Sequence, residues 1–181
     1  IGQDIKVDGF GNVYTIGDFF LTVDFDPGPG VVDLSSHGGW DIFIQKVDSM
    51  GNLLWAKSMG SIGFDRGTSI ATDDSGNVYS TGSFAYTVDF DPNVDTFELA
   101  STGGVDIFIL KLNSMGNLEW VKGIGGTGDD QANSIFVDEV GNIYTTGTFH
   151  ETVDFDPGPG SFFLSASGTD QGTFVQKLDK D

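Results

Sequence analysis

Residues 76–92 read GNVYSTGSFAYTVDFDP, and this stretch occurs three times along the chain. The copy at 11–27 reads GNVYTIGDFFLTVDFDP, and the copy at 141–157 reads GNIYTTGTFHETVDFDP. Successive copies therefore begin 65 residues apart (76 − 11 and 141 − 76). A period this regular identifies a tandem repeat, and the architecture of the whole chain must accommodate it.

The remainder of the repeat follows at the same spacing. Asp41-Ile42-Phe43-Ile44 returns at 106–109, and Met50-Gly51-Asn52-Leu53 returns at 115–118. In the third copy the corresponding strand sequence, Thr173 to Leu178, is displaced by one residue. We therefore expect a single repeat domain built from three units, which span 1–65, 66–130 and 131–181.

Each unit carries the pattern of two β-hairpins. In the second unit, four stretches rich in β-branched and aromatic residues predict strands at 69–72, 78–84, 106–112 and 118–122. The polar clusters Asp73 to Asn77 and Asn113 to Asn117 each place Gly-Asn at the end of a tight turn. Gly and Asn tolerate positive φ, and the Asp or Asn that opens the turn can bond to its own backbone. A long connection separates the second and third strands.

Four antiparallel strands per unit, repeated in tandem, are typical of the blades of a β-propeller. The predicted fold is therefore all-β, with three such blades in sequence. A parallel β-helix is the alternative architecture, but its coils usually have a shorter period and fewer hairpin turns. The third unit reaches Asp181 just after its third strand, so we expect the last blade to lack its fourth strand.

Three blades cannot close a ring, because propellers contain about four to eight. An uncovered blade face would also expose a large apolar patch. The expected partners are therefore further blades of the same parent chain or other copies of this chain. We favour further blades, because a dimer would still leave each third blade without a fourth strand. The chain also begins at Ile1, inside a repeat, as expected for a piece of a longer protein.

The composition is strongly acidic, with 27 Asp and Glu against 8 Lys and Arg and a formal net charge of −19. This charge disfavours nucleic acid and anionic membrane surfaces as partners. No stretch approaches the roughly 18 consecutive apolar residues of a membrane span, so we expect no membrane insertion. The chain contains no Cys, which excludes disulfides and thiol chemistry.

The chain resembles the bacterial β-propeller repeats known as SBBP repeats. The resemblance rests on GGTGDDQANSIFVD at 125–138 followed by GNIYTTG at 141–147, and on DIFILKL at 106–112 with GNLEW at 116–120. It implies a propeller fold in a large secreted or cell-surface protein. The long connection carrying Val-Asp-Phe-Asp-Pro is similar to that of secreted Bacteroidetes-like surface proteins. The resemblance therefore implies an extracellular or cell-surface location.

The Val-Asp-Phe-Asp-Pro element is the strongest candidate site. It places two aspartates at i and i+2 in every unit: Asp24 with Asp26, Asp89 with Asp91, and Asp154 with Asp156. In an extended segment both carboxylates point to one side and the intervening Phe to the other. Calcium takes six to eight oxygen ligands, often from such stretches and from loop carbonyls. The six aspartates are therefore candidate calcium ligands, and calcium is the expected cofactor.

An alternative role for these aspartates is structural: they bond turn N–H groups while the Phe plugs the gap between blades. Gly-Pro-Gly follows the first and third pairs and can turn carbonyls inward. The second pair is followed instead by Asn93-Val94-Asp95, which makes Asp95 a further candidate ligand.

Other candidates have mainly structural interpretations. Asp65 and Asp130 precede first strands and are expected to cap turns, with a cation in the inter-blade corner as the alternative. Trp55 and Trp120 occupy equivalent positions and are expected to pack between blades. Trp40 has no counterpart, which makes it a candidate exposed contact residue. His37 and His150 are not equivalent, which argues against a repeated zinc site.

No nucleophile elbow or phosphate-binding loop is present in the sequence. We therefore expect a non-catalytic, secreted or surface-exposed module that acts as a scaffold in adhesion or protein–protein assembly, with a surface protein or glycan as partner. The alternatives are part of an extracellular propeller enzyme, a polysaccharide hydrolase or lyase, and a subunit of an extracellular filament.

Overall fold

The computed structural model describes residues 1–93, 95–168 and 170–180 of the chain, and these residues form strands and turns but no helix. The strands are β1 (Gly2–Val7), β2 (Val13–Phe19), β3 (Thr22–Asp24), β4 (Asp33–Ser35), β5 (Asp41–Val47), β6 (Leu53–Met59), β7 (Arg66–Thr72), β8 (Val78–Asp89), β9 (Glu98–Leu112), β10 (Leu118–Ile124), β11 (Gln131–Val137), β12 (Ile143–His150), β13 (Thr152–Asp154), β14 (Phe163–Ser165) and β15 (Gln171–Leu178).

Three antiparallel sheets follow one another along the chain. The first sheet has the order β1-β2-β5-β6, and the second has the equivalent order β7-β8-β9-β10. The third sheet contains β11, β12 and β15 within the described residues. The prediction of an all-β fold with tandem four-stranded blades is confirmed, as is a third sheet with one strand fewer. The three sheets form an open array that does not close into a ring.

Strand register confirms the one-residue displacement in the third unit. Gly17 pairs with Phe43 in the first sheet and Gly82 pairs with Phe108 in the second. The equivalent pair in the third sheet is Gly147 with Phe174. The extra residue therefore lies in the connection between β14 and β15, where it leaves the sheet register unchanged.

Each tight turn is closed by the carboxylate or amide that begins it, as the sequence predicts. Asp8 Oδ1 accepts hydrogen bonds from the N–H groups of Phe10 at 2.8 Å and Asn12 at 2.9 Å. Its Oδ2 accepts from the side chains of Asn12 and Tyr14. Gly11 has φ of 81°, a conformation open to glycine at little cost. The same arrangement recurs at Asp73 and Asp138.

The long connection is itself structured, which the sequence pattern did not predict. In the first and third units it forms a two-stranded ribbon, β3 with β4 and β13 with β14. In the second unit the ribbon is continuous with the sheet, so β8 and β9 extend to Asp89 and Glu98. A non-glycine residue with positive φ bends the chain into each ribbon: Leu21, Tyr86 and Glu151. The ribbon forms because each Asp-Phe-Asp-Pro turn supplies its own side-chain caps.

Apolar side chains join neighbouring sheets. Ile16, Ile42 and Ile44 of the first blade pack with Ile70 and Val78 of the second in one buried cluster. A second cluster repeats this contact between blades two and three, with Ile107 and Ile109 against Ile135 and Ile143. We call each of these blade-to-blade contacts a seam. The two seams stack the blades face to face, as expected for consecutive propeller blades.

Candidate functional site: acidic ribbons and inter-blade clefts

The paired aspartates of each ribbon cap their own turn. Asp24 Oδ1 accepts hydrogen bonds from the N–H groups of Asp26 and Val32, both at 2.9 Å. Asp26 Oδ1 in turn accepts from Gly28 N–H at 2.7 Å. These bonds close the ribbon turn across Gly-Pro-Gly and use one oxygen of each carboxylate.

The other two pairs repeat this geometry. Asp89 Oδ1 accepts from Asp91 N–H at 3.0 Å and Phe97 N–H at 2.8 Å. Asp154 Oδ1 accepts from Asp156 N–H at 3.1 Å and Phe162 N–H at 2.7 Å. All three pairs of aspartates therefore cap turns, which is the structural role given above as the alternative to calcium binding.

The turn of the second ribbon differs from the other two. Asp91 Oδ1 accepts from both nitrogens of Asn93, at 3.0 Å each, in place of the glycine contact. Val94, in the same turn, lies outside the described residues. Asp95, the further candidate ligand, is exposed to solvent. The asparagine thus replaces Gly-Pro-Gly as the group that closes this turn.

Hydrogen bonds from the main chain also lower the pKa of two of these carboxylates. The N–H group of Val32, followed by that of Asp26, holds the pKa of Asp24 below its usual range. The N–H groups of Phe162 and Asp156 do the same for the pKa of Asp154. These two carboxylates stay ionised in mildly acidic solution because each main-chain donor stabilises the charged form. Among the described residues no group of three or more His, Asp and Glu side chains lies close enough to hold a metal ion.

The phenylalanine between the two aspartates is buried in its own blade. Phe90 is fully buried and lies edge-on to Phe84 and tilted against Phe108, at centroid distances of 5.4 and 5.2 Å. Phe25 and Phe155 make the equivalent contacts in the other blades. The phenylalanine was expected to fill the gap between blades. It packs instead against aromatic rings of its own blade and so anchors the ribbon to its own sheet.

Two equivalent clefts open where a ribbon faces the preceding blade. The first cleft, about 570 Å³, is lined by Asp89, Asp91 and Glu98 of blade two and by His37 and Ser61 of blade one. The second, about 470 Å³, is lined by Asp154 and Asp156 of blade three and by Thr102, Asp106 and Lys122 of blade two. The tertiary structure thus places two of the three predicted pairs against a neighbouring blade, in cavities of small-ligand size. Asp24 and Asp26 occupy the equivalent position on the outer side of blade one.

Buried aspartates lie beside both clefts. Asp65 and Asp130 are fully buried, and each accepts main-chain N–H bonds on both carboxylate oxygens, Asp65 from Ser61 and Ala85. Asp130 accepts from Gly126 at 2.8 Å and His150 at 3.0 Å. Burial raises the pKa of both carboxyl groups, against the opposing effect of these hydrogen bonds. The turn-capping role expected for these two residues matches this geometry.

Asp41 and Asp106 are equivalent buried aspartates, one in each of the first two blades, that the sequence motifs did not single out. In each, Oδ2 accepts two hydrogen bonds, while Oδ1 is buried without a hydrogen-bond partner among the described residues. Burial, reinforced by the charge of Asp130, raises the pKa of the Asp106 carboxyl. The sequence does contain a signal for these two residues, because an aspartate begins an apolar strand in two successive units. Burial of a charged side chain costs free energy unless the charge is paired, so such an aspartate is expected to have a role.

The aromatic and histidine candidates are all placed by the structure. Trp55 Nε1 donates to Ser114 O of the next blade at 3.2 Å, which is a packing contact across a seam. Trp40 is only partly exposed and stacks on Phe20, which corrects the expectation of an exposed contact residue. His37 Nδ1 lies 2.8 Å from Asp41 Oδ2, whereas His150 Nδ1 contacts Asp129 O. The two histidines therefore serve different local structures.

Comparison with known proteins finds similarity to a known repeat. The model of the SBBP family, described as a beta-propeller repeat, matches residues 119–148, which run from β10 through most of β12. The chain is 29% identical to the regulatory protein FlaEY of Caulobacter vibrioides, over 93% of this chain and 18% of that protein. It is 27% identical to the uncharacterized WD repeat-containing protein L264 of Acanthamoeba polyphaga mimivirus, over 55% of this chain and 8% of that protein. The chain thus spans less than a fifth of the length of either relative.

Proposed function

Because the chain carries a β-propeller repeat, we propose that it is a non-catalytic propeller module that serves as a scaffold in adhesion or protein–protein assembly, exported to the cell surface or beyond it. One observation carries this proposal. The paired aspartates of the ribbons recur in all three units, and in each unit they cap the ribbon turn by the same hydrogen bonds. Repeated use of a side chain for structure favours a scaffold over a single asymmetric active site.

The inter-blade clefts are the proposed binding surface of this scaffold. Asp89 and Asp91 each use one carboxylate oxygen for the ribbon turn, which leaves the other for a polar ligand. Neutral glycans and basic protein segments offer the hydroxyl and ammonium donors that carboxylates accept. The likeness to SBBP repeats is the ground for proposing export. The part of the chain that the structure describes contains no helix long and apolar enough to cross a membrane.

The decisive experiment measures binding and turnover together on immobilised polysaccharides and basic peptides. We expect retention of the chain without release of reducing ends or unsaturated sugars. The double variant Asp89→Asn/Asp91→Asn should weaken retention about tenfold or more, because two charge-assisted hydrogen-bond acceptors are removed. Asp74→Asn, an exposed carboxylate outside this cleft, is the matched control and should bind like the original chain.

An enzyme is the second candidate, favoured by Asp106. Its carboxyl has a raised pKa, an unpaired buried oxygen and a place in a cleft with Lys122, Asp154 and Asp156. A buried carboxyl with a perturbed pKa in a cleft is a recurrent feature of active sites. Turnover of a polysaccharide that is abolished in Asp106→Asn would establish this hydrolase or lyase and overturn the scaffold proposal.

Calcium stabilisation is a further part of the proposal and has its own test. The free carboxylate oxygens of Asp24 and Asp26, with the carbonyls of the ribbon turn, would be the ligands. We expect saturating Ca²⁺ to raise the melting temperature of metal-free protein by several degrees, because a ligand that binds only the folded state stabilises it. Asp→Asn substitution at all six paired positions should abolish this increase. An unchanged melting temperature in the original chain would exclude calcium stabilisation.

A further inference from the structure

We propose that the second inter-blade cleft binds an arginine side chain of a partner protein, between the aspartates of the third ribbon and Phe97 in the turn of the second ribbon. This inference deepens the binding role proposed above and rests on it, because it names one cleft and the chemistry of its ligand. The two walls of this cleft, which has a volume of about 470 Å³, belong to blades two and three.

The third ribbon forms an acidic wall of the second cleft. Asp154 and Asp156 line the cleft, and the main-chain hydrogen bonds that close the ribbon turn go to Oδ1 of each. The N–H group of Phe162 holds the pKa of Asp154 below its usual range, so this carboxylate is charged at neutral pH. A Cβ on Gly160 would lie 2.2 Å from Asp156 Oδ2, so the glycine keeps this oxygen uncovered. Both Oδ2 atoms therefore remain for a ligand.

Asp106 adds a buried carboxylate with one unsatisfied oxygen to the same cleft. Its Oδ2 accepts hydrogen bonds from the N–H and Oγ1 groups of Thr102, both at 2.9 Å. Its Oδ1 has no hydrogen-bond partner among the described residues, and the residue is only 4% exposed. Gly125, which also lines the cleft, leaves room for the carboxyl group, because a Cβ there would lie 2.5 Å from Oδ1. A buried acceptor without a donor costs free energy, and a donor that enters the cleft would remove this cost.

At the first cleft the protein supplies its own cation. Lys57 Nζ donates to Asn93 Oδ1 at 2.9 Å, and the side-chain nitrogen of Asn93 donates to Asp91 Oδ1 at 3.0 Å. The ammonium group of blade one thus reaches the acidic ribbon of blade two through a single amide group.

The second cleft lacks this bridge. Gly158 stands one period after Asn93 and has no side chain to accept a hydrogen bond. Lys122, the equivalent of Lys57, instead places its Nζ 5.7 Å from the ring centroid of Trp120. Among the described residues no Lys or Arg forms an ion pair with any of the three aspartates of this cleft. A cation from another molecule would therefore take the place that Lys57 occupies at the first cleft.

The polar groups of the second cleft favour a ligand that only donates hydrogen bonds. Ionised carboxylates accept and do not donate, whereas an ammonium or guanidinium group donates and does not accept. The hydroxyl groups of a neutral glycan would also need donors, but the Thr102 hydroxyl already donates to Asp106 and Gly126. A basic side chain of a protein therefore fits this cleft better than a neutral glycan.

An aromatic ring on the other wall favours arginine over lysine. Phe97 lines the cleft and is 46% exposed, and Leu99 and Val121 extend this apolar surface. A guanidinium group is planar, stacks on aromatic faces and is more weakly hydrated than an ammonium group. Its fork can also donate to two carboxylate oxygens at once. The paired aspartates of the third ribbon offer two such oxygens.

Titration of the chain with short peptides, followed by NMR, tests the ligand class. The probe is the blocked pentapeptide Gly-Gly-Arg-Gly-Gly, and matched peptides carry lysine or citrulline, the uncharged analogue of arginine, at the centre. We expect the arginine peptide to shift the amide signals of residues 97–99 and 154–158. The lysine peptide should bind about threefold more weakly and the citrulline peptide about tenfold or more. Equal affinities of the arginine and citrulline peptides would overturn the inference.

Free arginine distinguishes a protein partner from a small molecule. Its α-carboxylate is repelled by an acidic chain of net charge −19, so we expect weaker binding than for the blocked peptide. Tighter binding of free arginine would assign the cleft to a small molecule and overturn the proposal of a protein partner.

Removal of the acidic wall tests the position of the site. Asp154→Asn/Asp156→Asn keeps an oxygen for the main-chain N–H groups of the turn and should weaken binding of the arginine peptide about tenfold or more. The matched control is Asp24→Asn/Asp26→Asn, the same change in a ribbon that faces no preceding blade among the described residues. This control should bind like the original chain. Equal effects of the two double variants would place the site outside the second cleft.

Two further substitutions test the aromatic wall. Phe97→Ala should lower the affinity for the arginine peptide to that for the lysine peptide, because the stacking surface is lost. Phe163→Ala removes a ring that is 63% exposed on the third ribbon and does not line the cleft, so it should keep the preference for arginine. An unchanged preference in Phe97→Ala would contradict the choice of arginine.

Gly158→Asn should rebuild the bridge of the first cleft in the second. The new amide oxygen would accept from Lys122, and the protein's own ammonium group would then compete with the arginine peptide. We expect an affinity about threefold lower or more, with an unchanged or higher melting temperature. An unchanged affinity would contradict the assigned position of the guanidinium group.

The outcomes separate this inference from the scaffold proposal. A neutral oligosaccharide whose binding is lost in Asp154→Asn/Asp156→Asn, without binding of the arginine peptide, would assign the second cleft to a glycan and overturn the inference. The scaffold role would stand in that case. Turnover of a polysaccharide that is abolished in Asp106→Asn would overturn the scaffold role, whichever peptide binds.

Discussion

At the scale of single residues, aspartate has two opposite uses in this protein. In the ribbons and hairpin turns it faces solvent and accepts N–H bonds from the main chain and from asparagine, which lower the pKa of Asp24, Asp48 and Asp154. Beside the clefts it is buried, and burial raises the pKa of Asp65, Asp106 and Asp130. The same side chain therefore stabilises turns at neutral pH and carries a desolvation cost between blades.

Asp106 and Asp130 should respond differently to the same substitution. In Asp106→Asn the amide oxygen can keep both bonds from Thr102, and the NH₂ group takes the unpaired side. Removal of the buried charge should leave stability equal or higher by about 1 kcal/mol. In Asp130→Asn the NH₂ group must face the N–H donor of Gly126 or His150, which should cost about 1–3 kcal/mol.

Urea unfolding of the original chain and of both variants at two pH values measures this difference in stability. A raised folded-state pKa means that the original chain gains stability as the pH falls through the folded pKa of Asp106 towards the ordinary value of 3.8. Any excess in the free energy of unfolding of Asp106→Asn over that of the original chain should therefore be largest at pH 8 and should shrink as the pH falls. A variant that is strongly destabilised at pH 8 would show that the Asp106 charge has a partner beyond those seen here.

At the scale of the strand, the first strand of every blade contains a β-bulge, at Gly2 to Asp4, Gly67 to Ser69 and Ala132 to Ser134. A glycine in the second strand of each blade permits this bulge. A Cβ on Gly82 would lie 1.9 Å from Arg66 O, and a Cβ on Gly147 would lie 2.0 Å from Gln131 O. Gly17 stands in the same relation to Ile1 O. Glycine at this position lets the bulged first strand approach its neighbour, and the bulge in turn directs its side chains to the next blade.

Gly82→Ala should therefore weaken both the sheet and the seam. The clash is with main chain, which cannot rotate away, so we expect a decrease of about 1–3 kcal/mol in the free energy of unfolding. Thermal or urea unfolding measures it, with Gly9→Ala as the control, because nothing lies within 4 Å of a Cβ there. Equal stability of the two variants would contradict the assigned role of the glycine.

At the scale of the whole molecule, the described part of the chain is a stack of three blades joined by two seams. Each seam buries isoleucine side chains from both of the blades that it joins. The net charge of −19 disfavours non-specific association of this acidic surface.

The sequence by itself determined the period, the blade architecture and the turn chemistry. These follow from local patterns, because a turn such as Asp8 to Asn12 closes on itself and strand alternation needs no distant partner. The register displacement near Thr173 was also visible in the sequence, since a single residue shifts the third copy against the other two.

Only the tertiary structure decided which contacts the repeated residues make in these three units. It placed Phe90 inside its own blade, set the acidic ribbons against the preceding blade, and buried Asp41 and Asp106. It also showed that Gly82 must lack a side chain beside Arg66 O, and that Ser69 Oγ donates to Asp4 of the first blade and accepts from Ile135 N–H of the third. These contacts join residues far apart in the chain, and their distances depend on how the blades stack, which no local pattern in the sequence encodes.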